Sequence, residues 1–226
     1  DAVTQKIATR RKKLLIADMD STMVTGETLD ELAEFAGVKD RVAAITARAM
    51  NGELDFEAAL DERVGLLDGM STDMLAEAWK TVEYTGGAKT LVATMKANGA
   101  FAALVSGGFD FFTAAVRKEL GFDFDQANVL MTKDGKLTGK VQKPVLDRQA
   151  KVDALENLTE EHGMTVDDAM AVGDGANDLQ MISLAGTGVA FHAKPSVREQ
   201  ARICINHGDL TALLYLQGYR KSEFVV

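Results

Sequence analysis

Short apolar runs recur along the chain, each about the length of a strand and the first three ending in Asp, Ser or Gly. They are Leu14–Ala17, Ala100–Val105, Ala169–Val172 and Gly188–Phe191. Unbroken apolar runs of this length mark parallel strands buried on both faces. Segments with helical periodicity lie between them, among them Phe111–Leu120 and Lys89–Asn98, the latter closed by Asn98-Gly99. The alternation predicts an α/β fold built on a doubly wound, Rossmann-like, mostly parallel sheet. Ligands of such sheets bind at the carboxyl ends of the strands, which is where the polar punctuation falls here.

The pattern breaks between Thr28 and about Glu83, where no strand-like run occurs. Four amphipathic helices are predicted instead, near 28–36, 39–51, 55–67 and 72–83. Thr28 and Glu31 have the spacing of a capping box for the first, and Ser71 suits the N-cap of the last. Glycines flank the stretch (Gly26, Gly86, Gly87). An all-helical insert that leaves just after the first strand reads as a mobile cap over the active edge of the sheet. The expected division is a core of residues 11–25 and 85–226 with a helical cap of residues 26–84. Between Phe124 and Val141, Lys133-Asp-Gly-Lys136 separates two β-compatible runs and predicts a small hairpin flap with a structural role.

Composition narrows the setting. Acidic residues outnumber basic ones, 34 to 25, for a net charge of −9, and aromatics are sparse, which argues against a nucleic-acid partner. No run approaches the roughly 18 apolar residues of a membrane span. Cys204 is the single cysteine, so no intrachain disulfide forms; a cytoplasmic protein is expected. The chain opens on Asp1 rather than Met, which leaves an additional N-terminal domain as an open expectation. Oligomeric state is not legible.

Three motifs at strand ends carry candidate chemistry. Asp18 and Asp20, in Asp-Met-Asp-Ser-Thr, follow the first strand; two carboxylates so close resist joint ionisation unless a cation lies between them. An N-cap paired with a turn aspartate would give the same spelling. In Gly173-Asp-Gly-Ala-Asn-Asp178, Asp174 and Asp178 offer hard oxygen ligands that suit Mg²⁺, or alternatively an Asx-turn opening a helix. Ser106-Gly107-Gly108, between a strand and a helix, suits an anion cradle of free N–H groups and a hydroxyl, and equally a tight turn. Lys151 alone reads as a solvated helix lysine and gains weight only beside these motifs. His162, His192 and His207 lack ligand spacing and read as structural or surface residues.

In this order, Asp-Met-Asp-Ser-Thr, Ser-Gly-Gly, Lys151 and Gly-Asp-Gly-Ala-Asn-Asp resemble the four motifs of the haloacid-dehalogenase-like phosphohydrolases. Over nearly the whole chain the resemblance narrows to the phosphoserine phosphatases among them. It implies Mg²⁺-dependent hydrolysis of O-phospho-L-serine through an aspartyl-phosphate, the last step of serine biosynthesis. By the same resemblance Asp18 is the nucleophile and Asp20 the general acid and base. Mg²⁺ is held by the Asp18 and Asp174 side chains and the Asp20 carbonyl, with Asp178 supporting that shell. Lys151, Ser106 and the Gly107 N–H receive the phosphoryl oxygens. Glu27 is assigned to the ammonium and Arg63 to the carboxylate of phosphoserine, Met50 and Phe56 wall the site, and Asn177 contributes from the core.

Part of the substrate reading rests on the residues themselves. Phe56, Leu60, Arg63 and Leu67 form one stripe of the third predicted helix, with Arg63 about 20° from Phe56. A guanidinium on an apolar face snorkels out, pairs with a buried acid, or receives an anion. A phosphotransferase, or a phosphatase for another small monoester, would use the same nucleophile. A phospho-accepting receiver module shares the Asp, Mg²⁺, hydroxyl and Lys, but needs neither Asp20 nor a helical cap.

Overall fold

A computed structural model of the chain describes residues 1, 3–51 and 53–226, and of Met50 the backbone alone. Strand β1 (Leu14–Ala17) runs into a wide single turn, Met19–Met23, and then helices α1 (Thr28–Phe35), α2 (Lys39–Met50), α3 (Phe56–Gly65) and α4 (Asp73–Trp79). Next come α5 (Ala88–Ala97), β2 (Phe101–Phe109), α6 (Asp110–Leu120), β3 (Phe124–Asn128), β4 (Leu130–Lys133), β5 (Lys136–Val141) and α7 (Arg148–Glu161). The chain closes with β6 (Ala169–Gly173), α8 (Leu179–Leu184), β7 (Thr187–Phe191), α9 (Pro195–Arg198), β8 (Ile203–Ile205) and α10 (Ala212–Leu216).

Six strands form one sheet in the order β3-β2-β1-β6-β7-β8, and every pair in it is parallel. Alternate residues of β1 enter two cores. Leu15 and Ala17 pack with Leu104, Val172 and Phe112 on one side, and Leu14 and Ile16 with Val105, Leu155 and Met181 on the other. This two-sided burial explains why the strand reads as an unbroken apolar run. The strand order reverses between β1 and β6, so the crevice at their carboxyl ends is the place for a ligand.

Two strands differ from the expectation. Phe124–Asn128 is no arm of the hairpin but the edge strand β3, paired in parallel with β2; the antiparallel hairpin begins at Leu130. Its Asp, Gln and Asn content and half-exposed faces hide it from an apolar-run criterion. The short β8 sits on the opposite edge and is missed for a different reason: Ile203-Cys204-Ile205 is apolar but only three residues long.

The four helices of the insert form as expected, and apolar residues of α1 (Leu29, Leu32), α3 and its exit (Leu60, Val64, Leu67) and α4 (Leu75) join the larger core. The capping box at Thr28 and Glu31 does not form. Thr28 is already helical and its hydroxyl is buried without a partner among the described residues, while its N–H donates to Asp20 Oδ1 at 3.1 Å. The wide turn after β1 brings a charged acceptor to this helix end, and a carboxylate is the stronger partner for a free helical N–H. Glu31 is turned elsewhere and accepts from Thr81 Oγ1 at 3.0 Å. Ser71 is not the N-cap of α4, a position held by Thr72; from one residue further out its Oγ accepts from the Asp73 N–H at 3.2 Å.

The insert enters and leaves through one short antiparallel ladder: Val24 bridges Tyr84, Thr25 N–H donates to the Glu83 carbonyl (2.9 Å) and Thr85 N–H to the Met23 carbonyl (3.0 Å). The hairpin braces it from the far side. Gly69 and Leu137 exchange backbone bonds with Leu137 and Met70 respectively, and Lys143 reaches Glu57 (2.6 Å) and Asp61 (2.9 Å) on α3.

Candidate active site

The site begins where β1 stops. Asp18 N–H donates to the Val172 carbonyl of β6 (3.0 Å), which fixes the aspartate at the end of the sheet. The chain then leaves the strand geometry, with Ser21 in the left-handed region at φ 55°. Such a conformation is unusual for a residue with a side chain and is held here by the Ser21 N–H bond to the Gly26 carbonyl (3.0 Å). The turn solves the alternation problem of the strand: Asp18 and Asp20 both line one cavity instead of facing opposite ways.

Neighbouring strands deliver the remaining groups. Ala17 is in register with Leu104 of β2 and with Val172 of β6, so Ser106 and Asp174, two residues further along each chain, flank Asp18. Ser106 Oγ accepts from the Gly108 N–H at 2.9 Å. Gly108 has to be glycine: a Cβ there would lie 2.9 Å from Asp20 Oδ2 and 3.1 Å from Ser106 Oγ. Below the cavity, α7 inserts Lys151, 1% exposed, with Nζ 2.6 Å from Asp18 Oδ1 and 2.6 Å from Asp178 Oδ1. Asp178 in turn accepts from the Gly175 N–H (2.9 Å).

The cavity measures about 230 Å³ and is closed by the insert. Glu27, Phe56 and Arg63 line it from α3 and the start of α1, opposite Asp18, Asp20, Ser106, Gly107, Asp174 and Asn177. The Phe56 ring lies over Gly107, 3.7 Å from where a Cβ would stand. Arg63 is half-buried and donates through Nε to the Ala59 carbonyl (3.0 Å). Among the described residues its terminal nitrogens make no protein hydrogen bond, so the guanidinium neither snorkels fully nor pairs with an acid. The Met50 side chain lies outside the described residues. All other expected site residues are brought to the cavity or directly beneath it.

The profile of the haloacid dehalogenase-like hydrolases matches residues 15–183, from β1 to the helix after the acidic loop. The chain belongs to this family. Within the family its relatives include the phosphoserine phosphatase of Methanocaldococcus jannaschii, 44% identical over 91% of this chain and 97% of that protein. The phosphoserine phosphatase of Streptomyces coelicolor is 44% identical over 95% of this chain and 52% of that one, so the hydrolase spans about half the length of this relative. A solved substrate-bound phosphoserine phosphatase complex superposes with a TM-score of 0.84 at 44% identity, over 90% of this chain and 97% of that one.

Charge in this haloacid dehalogenase-like hydrolase is concentrated at the cavity floor. Carboxylate oxygens of Asp18, Asp174 and Asp178 lie within 4.8 Å of one another. Burial, and then the charge of Asp178, push the Asp18 carboxyl up against the pull of Lys151. Burial also raises Asp174 to about 6, with Lys194 opposing it. For Lys151 burial acts downward, but Asp18 and Asp178 outweigh it and hold the ammonium charged. Three carboxylates against one ammonium leave the cluster short of positive charge, and hard oxygen donors of this kind fit a metal ion. Asp20 stands apart: burial and the nearby Glu27 raise it to about 7, against the Thr28 N–H that favours its ionised form. A carboxyl poised there can hold a proton at neutral pH.

Lys194 is a lining residue that sequence reasoning did not single out. It follows β7, and its Nζ lies 3.9 Å from Asp174 Oδ2. Its signal was positional, since it sits just past the carboxyl end of a strand at the active edge.

Proposed function

We propose that this hydrolase cleaves O-phospho-L-serine to L-serine and phosphate through an aspartyl-phosphate on Asp18. The observation that carries the reading is the pairing, in one small cavity, of a phosphoryl-sized floor (Asp18, Ser106, Gly107, Lys151) with a roof that presents one acid and one base, Glu27 and Arg63. The volume of about 230 Å³ falls below the usual range for drug-sized ligands and suits a small monoester. An amino-acid zwitterion requires both signs overhead.

In this reading an Asp18 oxygen attacks phosphorus and the bond from phosphorus to the serine oxygen breaks. Asp20 gives that oxygen its proton, then takes one from the water that attacks the aspartyl-phosphate, returning Asp18 and releasing phosphate. The Thr28 N–H fixes the Asp20 carboxyl, and Lys151 and Ser106 neutralise and orient the phosphoryl oxygens. Mg²⁺, held by Asp18, Asp174 and the Asp20 carbonyl, would offset the repulsion between an anionic nucleophile and an anionic phosphate. Asp178, bound to Lys151 and the Gly175 N–H, supports that floor rather than facing substrate. Asn177, and the Met50 and Phe56 pair, complete the walls. Residues 26–84 act as the cap and residues 11–25 with 85–226 as the core.

A cytosolic setting belongs to the same proposal, resting on the lone Cys204; among the described residues no helix is long and apolar enough to cross a membrane. The test is phosphate release from L-phosphoserine with Mg²⁺, beside EDTA and beside other phosphate monoesters. Metal-dependent turnover with a preference for phosphoserine is expected. Equal turnover across the panel would refute the substrate, and turnover unaffected by EDTA would refute the metal.

A further inference from the structure

Asn128, the last residue of β3, carries a side chain that is 3% exposed and bonded at every polar atom to backbone. Its Oδ1 accepts from the Leu146 N–H at 2.7 Å. Its Nδ2 donates to the Leu146 carbonyl (3.3 Å) and to the Gly107 carbonyl (2.9 Å). One amide therefore joins the base of the hairpin, the approach to α7 and the irregular carboxyl end of β2.

We propose that Asn128 is a positioning residue that sets Ser106 and Lys151 against the same phosphoryl group. The first arm of the argument is the peptide plane. The Gly107 carbonyl and the Gly108 N–H belong to one planar trans unit and point in opposite directions. Holding that carbonyl toward Asn128 aims the N–H away from it, and this N–H is the group that donates to Ser106 Oγ at 2.9 Å. Without the tether, the two glycines leave this irregular end of β2 free to rotate the peptide, and the hydroxyl loses its orientation.

The second arm runs through Leu146. The next residue, Asp147, caps α7 by accepting from the N–H groups of Gln149 (2.8 Å) and Ala150 (3.3 Å). Lys151 follows about one helical turn further on. The paired bonds to Leu146 thus fix the start of the helix that delivers the ammonium. The amide is a rigid spacer between two elements distant in sequence, each carrying one phosphoryl ligand. Neither its type nor its place at a polar edge strand sets it apart in the sequence.

This inference rests on Ser106 and Lys151 receiving the phosphoryl group, so its test separates the two claims. Orthophosphate and L-serine are each titrated calorimetrically into the Mg²⁺-loaded protein, its Asn128→Asp and Asn128→Ala variants, and Leu213→Ala as a control destabilised in the distant α10. Asn128→Asp is nearly isosteric and keeps the acceptor for the Leu146 N–H; it replaces both donated bonds with a carboxylate facing two carbonyls, and Asn128→Ala removes them without adding charge. Orthophosphate affinity is expected to fall about 5- to 100-fold in both Asn128 variants, the range for stranding a buried hydrogen-bonding group. L-serine affinity is expected to stay within about twofold, and Leu213→Ala to leave both affinities unchanged. Unchanged orthophosphate binding by Asn128→Asp, or equal losses for both ligands, would overturn the positioning role. Failure of the unsubstituted protein to turn over phosphoserine while it still binds orthophosphate would overturn the substrate and leave the positioning role standing.

Discussion

Replacing Lys151 by Met tests the charge balance of the cavity floor directly. Met keeps the length of the stem and removes the ammonium, which lies 2.6 Å from each of two buried carboxylates. Taking one partner from a buried ion pair costs about 3–5 kcal/mol, because the charge left behind can neither reach water nor find another partner. For a chain of this length each kcal/mol moves the melting temperature by about 2–4 °C. Differential scanning calorimetry in EDTA should then show Lys151→Met melting about 6–20 °C below the unsubstituted protein. Adding Mg²⁺ should raise the variant more than the unsubstituted protein, since it meets carboxylates with no competing ammonium. Adding Asp178→Asn, which keeps an acceptor for the Gly175 N–H but removes one charge, should recover at least half the loss. A melting temperature within about 2 °C of the unsubstituted protein would refute the reasoning. It would mean that desolvating the ammonium cancels both of its ion pairs.

Asp18→Asn should abolish phosphate release while leaving the melting temperature in EDTA unchanged or higher, because it relieves a crowded set of carboxylates; residual turnover above about 1% would rule out Asp18 as the nucleophile. Arg63→Ala should lower kcat/KM for phosphoserine about 10- to 100-fold, with little effect on a phosphate ester lacking the carboxylate; equal losses would argue against its role. Gly108→Ala forces a methyl to within 2.9 Å of Asp20 Oδ2 and 3.1 Å of Ser106 Oγ. Displacing reacting groups on that scale should cost at least about tenfold in kcat, and a fully active variant would show that neither group needs its observed position.

How much was legible follows from where the information sits. Leu14–Ala17 is read to the residue because all four positions are fully buried. Asp18, Ser106 and Asp174 stand out because their motifs follow apolar runs, and topology brings them together; Lys151, which alone reads as a solvated helix lysine, is buried and gains weight only beside those motifs. The edge strand Phe124–Asn128 escapes because an edge strand facing solvent need not be apolar. The capping box fails at Thr28 because a rule of local spacing cannot foresee a carboxylate carried in by the turn after β1. The hairpin is legible as a hairpin, but not that its hydrogen bonds to Gly69–Thr72 and the reach of Lys143 brace the helix bearing Phe56 and Arg63. Contacts between segments so distant in sequence leave no periodic trace.

The ladder joining Val24 to Tyr84 has a consequence for how such a catalyst diversifies. Bridged backbones lie about 5 Å apart, so the helical stretch departs from and rejoins the sheet at nearly one point. Its length can vary at only logarithmic entropic cost. The core strands keep their register whatever is spliced between those two residues. On the proposed function, the attacking carboxylate Asp18 stays at the end of the sheet, while Glu27 and Arg63, proposed to select the substrate, arrive with the splice. On that proposal recognition and bond cleavage are separable parts, and a different roof can be fitted to the same reaction.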